Sequence, residues 1–294
     1  MIEVTELTKL FGNFKALDCI SLSIADGESV CLLGENGAGK STLIKCILGM
    51  LEYSGQIKLN SLIIEPGATE HRFDIGYIPQ EPIFYDMKVD ELISFFGVLR
   101  RVDKEKINES LEIAGLLEHS SKHTSELSGG LKQRLSFAIA LISDPPILIL
   151  DEPTSNLDAS ARLDLLELVK KLKETGKTVL FSSHRMDEVE FLADRVYVLK
   201  KGRIIKESAE NRLTQELGLK TKIIVNVNKA DTQKTIDILK NCGFNLISQN
   251  GAGILVSIDD DEKAGALKKI LNSGIAVNDI AIEAPSMDEI MRSA

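Results

Sequence analysis

The stretch GENGAGKST, Gly34–Thr42, limits what this chain can fold into more than any other. It sets three glycines, a lysine and two hydroxyl residues directly behind the apolar run SVCLL. Apolar residues at helical spacing follow in KSTLIKCILGML,. A glycine-rich turn between a buried strand and a helix can curl so that successive N–H groups face one centre. The helix adds the positive end of its dipole. The spacing fits G-x-x-x-x-G-K-[ST]. Gly34, Asn36, Gly37, Ala38 and Gly39 are therefore expected to cradle phosphate. Lys40 is expected to reach the β- and γ-phosphates, with Ser41 and Thr42 adding hydroxyls, that of Ser41 to Mg²⁺.

The rest of the chain alternates strand-like and helix-like runs as far as about Ser208. PILILDEP is a continuous apolar run stopped by acids and proline, as expected for a central parallel strand,. ASARLDLLELVKKLKETG reads as an amphipathic helix, TVLFSS as a strand, and VYVLKKGRIIKES as a hairpin turning at Lys201-Gly202. The region from Glu81 to Ser125 reads mainly helical. Alternation of this kind predicts an α/β domain on a mostly parallel sheet. From Thr221 the order becomes βαββαβ with a last helix from Ser286, a small α+β, ferredoxin-like pattern. The division is predicted within Glu207–Lys220, giving domains 1–216 and 217–294.

Asp151 and Glu152 close the ILILDEP strand. If that strand neighbours the one feeding the phosphate loop, Asp151 would face the magnesium and Glu152 would sit beside the γ-phosphate, able to orient an attacking water. The net charge of −9 over 294 residues argues against broad nucleic-acid binding,. The four cysteines form no close pair and read as buried thiols,. No apolar run reaches the ~18 residues that span a bilayer, and no secretory signal opens the chain. Both point to a cytoplasmic protein. His71, His119 and His123 have no functional context and read as surface.

LSGGLKQR, Leu127–Arg134, lies between the phosphate loop and ILILDEPTSNLD. In that order and spacing the chain resembles the ATP-binding-cassette (ABC) ATPases over about Met1–Lys206. The resemblance implies a P-loop NTPase core with an antiparallel β subdomain and a helical subdomain at about 81–143. It implies ATP and Mg²⁺ as ligands, and head-to-tail pairs in which ATP lies between one subunit's phosphate loop and the other's Ser128, Gly129 and Gly130. Phe11 matches the aromatic that stacks on adenine, and Gln80 the glutamine that touches Mg²⁺ and the attacking water. Asp158 matches the loop that crosses the dimer interface, and His184 the histidine that bonds the γ-phosphate. Leu131 departs from the usual glutamine of the signature, and Asn156 stands where a small residue is more frequent. Neither change removes a phosphate-contacting group.

With one cassette and no membrane span, the resemblance implies separate transmembrane permease subunits, docked near Phe84–Val98, and a homodimer or heterodimer of ATPases on the cytoplasmic membrane face. APSMDEIM and FSSHRMDEVE resemble the ABC-2-type exporter class. Two alternatives stay open: a soluble mechanical ATPase of DNA repair or the ribosome, and a transporter ATPase regulated by a ligand-sensing C-terminal domain.

Overall fold

The computed structural model describes residues 1–209, 212–250, 253–259 and 262–293. The chain divides into two units, Met1–Asn211 and Arg212–Ala294. The first opens with a hairpin, β1 (Ile2–Phe11) and β2 (Phe14–Ile24), followed by β3 (Ser29–Leu33) and α1 (Lys40–Ile47). Then come β4 (Ser54–Leu59), β5 (Leu62–Ile63) and β6 (Ile75–Ile78). Helices α2 (Val89–Arg100), α3 (Lys104–Ile113) and α4 (Gly129–Leu141) precede β7 (Ile147–Asp151) and α5 (Ala159–Glu174). The unit closes with β8 (Thr178–Ser183), α6 (Met186–Leu192), β9 (Arg195–Lys200) and β10 (Arg203–Ala209).

Two sheets result. One is antiparallel, in the order β2-β1-β4-β5; the other runs β10-β9-β3-β8-β7-β6. In the second, β9, β3, β8, β7 and β6 are parallel and β10 turns back on β9. Every residue of β3, β7 and β8 is buried, which explains why these strands read as apolar runs without alternation. One core joins the two sheets through Ile2, Leu17, Leu32, Leu43, Ile149 and Leu199. A second, around Leu92, Ile93, Leu111, Leu135 and Ala138, holds α2, α3 and α4 together.

Three expectations need correction. β8 lies between β3 and β7, so the ILILD strand does not neighbour the phosphate-loop strand. His71 is buried, at 2% exposure. It sits in a 3-10 turn, Glu70–Asp74, packed where Gly49 lacks a side chain; a Cβ there would lie 3.1 Å from His71 Cε1. All four cysteines are free, but only Cys31 and Cys46 are buried; Cys19 is exposed and Cys242 half-buried. Cys19 sits at φ 55° in an irregular part of the β1–β2 pairing, which breaks the alternation that would have turned it inward.

The second unit contains α7 (Leu213–Glu216), β11 (Thr221–Val227), α8 (Thr232–Asn241), β12 (Asn245–Asn250), β13 (Gly253–Ile258), α9 (Lys263–Asn272), β14 (Val277–Glu283) and α10 (Met287–Ser293). Its sheet runs β12-β13-β11-β14, antiparallel throughout. Strict alternation along β11 puts Ile223, Val225 and Val227 into a core shared with Leu239 of α8 and Ala266 and Ile270 of α9. Lys222, on the other face of β11, pairs with Glu289 of α10 at 2.7 Å. Glu289 also accepts hydrogen bonds from the Ser286 backbone N–H, at 2.9 Å, and hydroxyl, at 3.0 Å.

The Lys222 ammonium and these Ser286 donors hold the Glu289 carboxyl at about 2, against its ordinary 4.5. A depressed carboxylate stabilises the fold above its unfolded pKa, and that contribution is lost as pH falls through the folded value. Amide exchange protection in α10 should therefore be constant above about pH 4.5 and fall as pH approaches 2. In Lys222→Met the loss should begin at higher pH.

Candidate functional site

The parallel sheet gathers the predicted site at one edge. Gly34 follows β3, Gln80 follows β6, Asp151 and Glu152 end β7, and His184 follows β8. All lie at strand C-termini, where open α/β sheets bind ligands. Gly39 caps α1 at φ 110°, a left-handed conformation open to glycine,. A Cβ there would also lie 2.9 Å from both the Ala16 carbonyl oxygen and Leu17 Cδ2. The first turn of α1 carries no acid of its own, which keeps the positive end of its dipole available to an anion.

Lys40 is buried, and its Nζ donates to the Gly34 and Glu35 carbonyls at 2.7 and 3.1 Å. It also pairs with Glu152 Oε1 at 2.9 Å. The other oxygen, Oε2, accepts from Gln80 Nε2 at 3.4 Å and lies 3.2 Å from His184 Nδ1. Ser41 Oγ donates to Asp151 Oδ1 at 3.0 Å. Asp151 thus reaches the phosphate loop although a strand intervenes. Ser182, on that intervening strand, donates to Asp151 Oδ1 at 2.7 Å and accepts the Glu152 N–H at 2.9 Å. Glu152 sits at φ 43°, a conformation costing about 1 kcal/mol or more for a residue with a side chain.

A cavity of about 470 Å³ connects Lys40, Ser41, Gln80 and Glu152 to the β1–β2 hairpin. Asn36, Gly37, Gly39, Lys40, Ser41, Thr42, Gln80 and Glu152 line it, together with Phe11, Phe14 and Ala16. Phe11 is 48% and Phe14 66% exposed, and the Lys9 ammonium lies 4.8 Å above the Phe11 ring. Ala38 is buried beneath the loop. Burial, with the Asp151 charge nearby, pushes the Tyr77 phenol up to about 12. Burial also drives the Cys31 thiol well above its usual value, leaving it inert.

The remaining predicted residues form a separate group. Ser128 Oγ accepts the Leu131 N–H at 3.4 Å, capping α4, and Gly129 and Gly130 open that helix. Asp158 Oδ1 accepts the Ala161 N–H at 2.9 Å, capping α5. None of the four lines the 470 Å³ cavity.

The ABC transporter family model matches residues 17–155. The chain is 37% identical over 234 residues to the linearmycin resistance ATP-binding protein of Bacillus subtilis, covering 78% of this chain and 75% of that protein. It is 39% identical over 221 residues to the Nod factor export ATP-binding protein I of Rhizobium meliloti, covering 73% and 66%. This chain belongs to the ABC transporter ATP-binding proteins. A solved dimeric bacterial ABC transporter cassette is similar at TM-score 0.64 and 28% identity, over 71% of this chain and 98% of that one. A dimeric cassette in a post-hydrolysis state, bound to ADP and Pi, is similar at TM-score 0.62 and 28% identity, over the same shares. The protein is an ABC transporter ATPase subunit that binds ATP.

Sequence reasoning missed Phe14 and Ser182. Phe14 carried a signal, since it faces Phe11 across a two-residue turn. Ser182 stands two residues before His184 in FSSH, on a strand whose apolar start hides that its end is polar. Its hydroxyl holds both ends of a strained junction, so Ser182→Ala should lower the unfolding free energy by about 1–3 kcal/mol. Denaturant titration of the variant and its parent measures the difference.

Proposed function

We propose that this chain is the ATP-hydrolysing subunit of an ABC exporter, working as a head-to-tail pair with separate membrane subunits on the cytoplasmic membrane face. The observation that carries this reading is the division of the site. The phosphate loop, Gln80 and Glu152 line one cavity, with Asp151 held to Ser41 and His184 to Glu152 beside it, whereas Ser128, Gly129 and Asp158 stand outside it. A second cassette supplies the missing donors. Two relatives, named for linearmycin resistance and for Nod factor export, and the APSMDEIM tail favour export.

Within one half-site the roles follow from chemistry. Lys40 is a buried cation already balanced by Glu152. Phosphate entering the loop replaces that counter-charge, and the exchange frees Glu152 for water at little desolvation cost. Ser41 Oγ and Asp151 Oδ1 form a hard oxygen pair suited to Mg²⁺, with the Gln80 amide nearby. When bound, Mg²⁺ neutralises charge on the phosphate oxygens. Glu152 orients and deprotonates the attacking water, and His184, 3.2 Å from it, holds the γ-phosphate. Phe11 and Phe14 stack on adenine.

A groove of about 360 Å³ lies beside the end of α1, lined by Met50, Phe73, Phe96 and Leu99, with Arg72 and Arg100. Of the region Phe84–Val98 it takes only Phe96. Arg100 donates to the Arg72 and Ile75 carbonyls and Arg72 to those of Leu48 and Gly49. No carboxylate pairs with either arginine among the described residues. The groove therefore suits an amphipathic helix of a membrane subunit that carries an acidic side chain.

Purified alone, the protein should show turnover that rises with protein concentration, since one chain holds half of each site. Glu152→Gln should keep ATP affinity and elute from gel filtration as a stable dimer in saturating ATP and Mg²⁺. Concentration-independent turnover, or a monomer under those conditions, refutes the paired mechanism. Phe96→Glu should leave the isolated ATPase within about twofold, being remote from phosphate. It should abolish co-purification with the co-expressed membrane subunit.

A further inference from the structure

Glu188 is a charged residue at 2% exposure that lies outside the nucleotide cavity. Both of its oxygens are engaged. Oε1 accepts the Thr154 hydroxyl and Oε2 accepts the Ser183 hydroxyl, the latter at 2.6 Å. Ser183 Oγ in turn accepts the Arg185 N–H at 3.0 Å, and Arg185 Nε lies 3.6 Å from Oε1. Thr154 and Ser183 are themselves buried, at 4% and 2%.

The partners' places in the chain give this cluster its meaning. Thr154 lies two residues beyond Glu152, and Ser183 immediately precedes His184. The segments carrying them leave two different strands, β7 and β8. One carboxylate from α6 therefore ties both segments within two residues of the side chains that meet at 3.2 Å. Each carboxylate oxygen takes a different hydroxyl, so the staple fixes both segments at once. For burial alone, an apolar residue with Val and Ala in place of the two hydroxyls would serve as well or better. A charged staple adds a fixed distance.

We propose that Glu188 is a positioning residue for ATP hydrolysis: by holding Thr154 and Ser183 at once, it sets the separation of Glu152 from His184. The proposal rests on the reading that Glu152 and His184 serve the γ-phosphate. It adds that their geometry is imposed by a residue that does not line the nucleotide cavity. A displacement of about 1 Å between reacting groups can cost a hundredfold in rate.

The test compares the full-length parent with Glu188→Gln and Ser183→Ala. The glutamine keeps the side chain's shape but replaces one acceptor oxygen with a donor. Ser183→Ala deletes one hydroxyl and should fold even if the first variant does not. Both should lower kcat by about tenfold to a hundredfold, while KM for ATP and the affinity for a fluorescent ADP analogue change less than twofold. The double variant should be no slower than the worse single one, because both remove the same link. Glu188→Gln should also accumulate the ATP-bound dimer, as expected when closure is intact and chemistry is slow. A kcat within twofold of the parent in both variants overturns the proposal. So does a rise in KM matching the loss in kcat, which would mark general distortion of the binding site. Parent turnover beside an inactive Glu152→Gln tests the underlying reading separately.

Discussion

The carboxylate of Glu152 is where the first unit converges. Its Oε1 neutralises Lys40 of the phosphate loop, and its Oε2 meets Gln80 and His184. Its backbone N–H is held by Ser182. These contacts come from three segments spread over about 150 positions: Lys40 after β3, Gln80 after β6, and Ser182 and His184 at the end of β8. Glu152 itself is buried, at 7% exposure, in a left-handed backbone conformation. Neither burial nor strain would persist without those partners, since an unpaired buried charge costs several kcal/mol. The sheet order matters because it brings these partners to one point.

That convergence also sets what the site can respond to. Lys40 and Glu152 satisfy each other while the loop is free of phosphate. A triphosphate offers Lys40 more negative charge than one carboxylate, so the exchange favours the nucleotide. It leaves Glu152 with Gln80 and His184. The same carboxylate is thus the counter-ion of Lys40 and, in the proposed mechanism, the proton acceptor once nucleotide is bound. The switch needs no large movement of the sheet, because both of its positions lie at the end of β7.

The motifs of this site were legible because each is local. A phosphate loop announces itself through glycine spacing, and β3, β7 and β8 through runs of buried residues. The order βαββαβ was legible because each element carries its own period, 2.0 for β11 and 3.6 for α8 and α9. What escaped depends on contacts between distant segments. Nothing in ILILDEP says that β8 intervenes before β3. His71 looks like a polar turn residue, and only the bare surface of Gly49 lets it turn inward. Cys19 belongs to an alternating strand until the β1–β2 register shifts beneath it. Ser182 and Glu188 were invisible for a related reason. A serine at the end of an apolar strand and a glutamate in an amphipathic helix look ordinary until their partners are known.

The helix termini give a last, independent reason to expect two copies. Among the described α-helices, all but two carry an acid at the N-cap or in the first turn. Asp103, Asp158, Asp231 and Glu262 stand at the caps of α3, α5, α8 and α9. Asp90, Asp187, Glu216 and Asp288 lie in the first turns of α2, α6, α7 and α10. Such acids compensate the positive end of the helix dipole. The exceptions are α1, capped by Gly39, and α4, capped by Ser128. Each of these two termini leaves its positive end for an anion from elsewhere, and only that of α1 opens on the cavity beside Glu152. Gly129, at the start of α4, lies outside the cavity of its own phosphate loop and lines a smaller one of about 170 Å³ with Gln80, Asn156 and Leu157, where the proposed pair would set a phosphate held by the other copy. In the proposed head-to-tail pair this would occur twice, each phosphate group lying between an α1 and an α4.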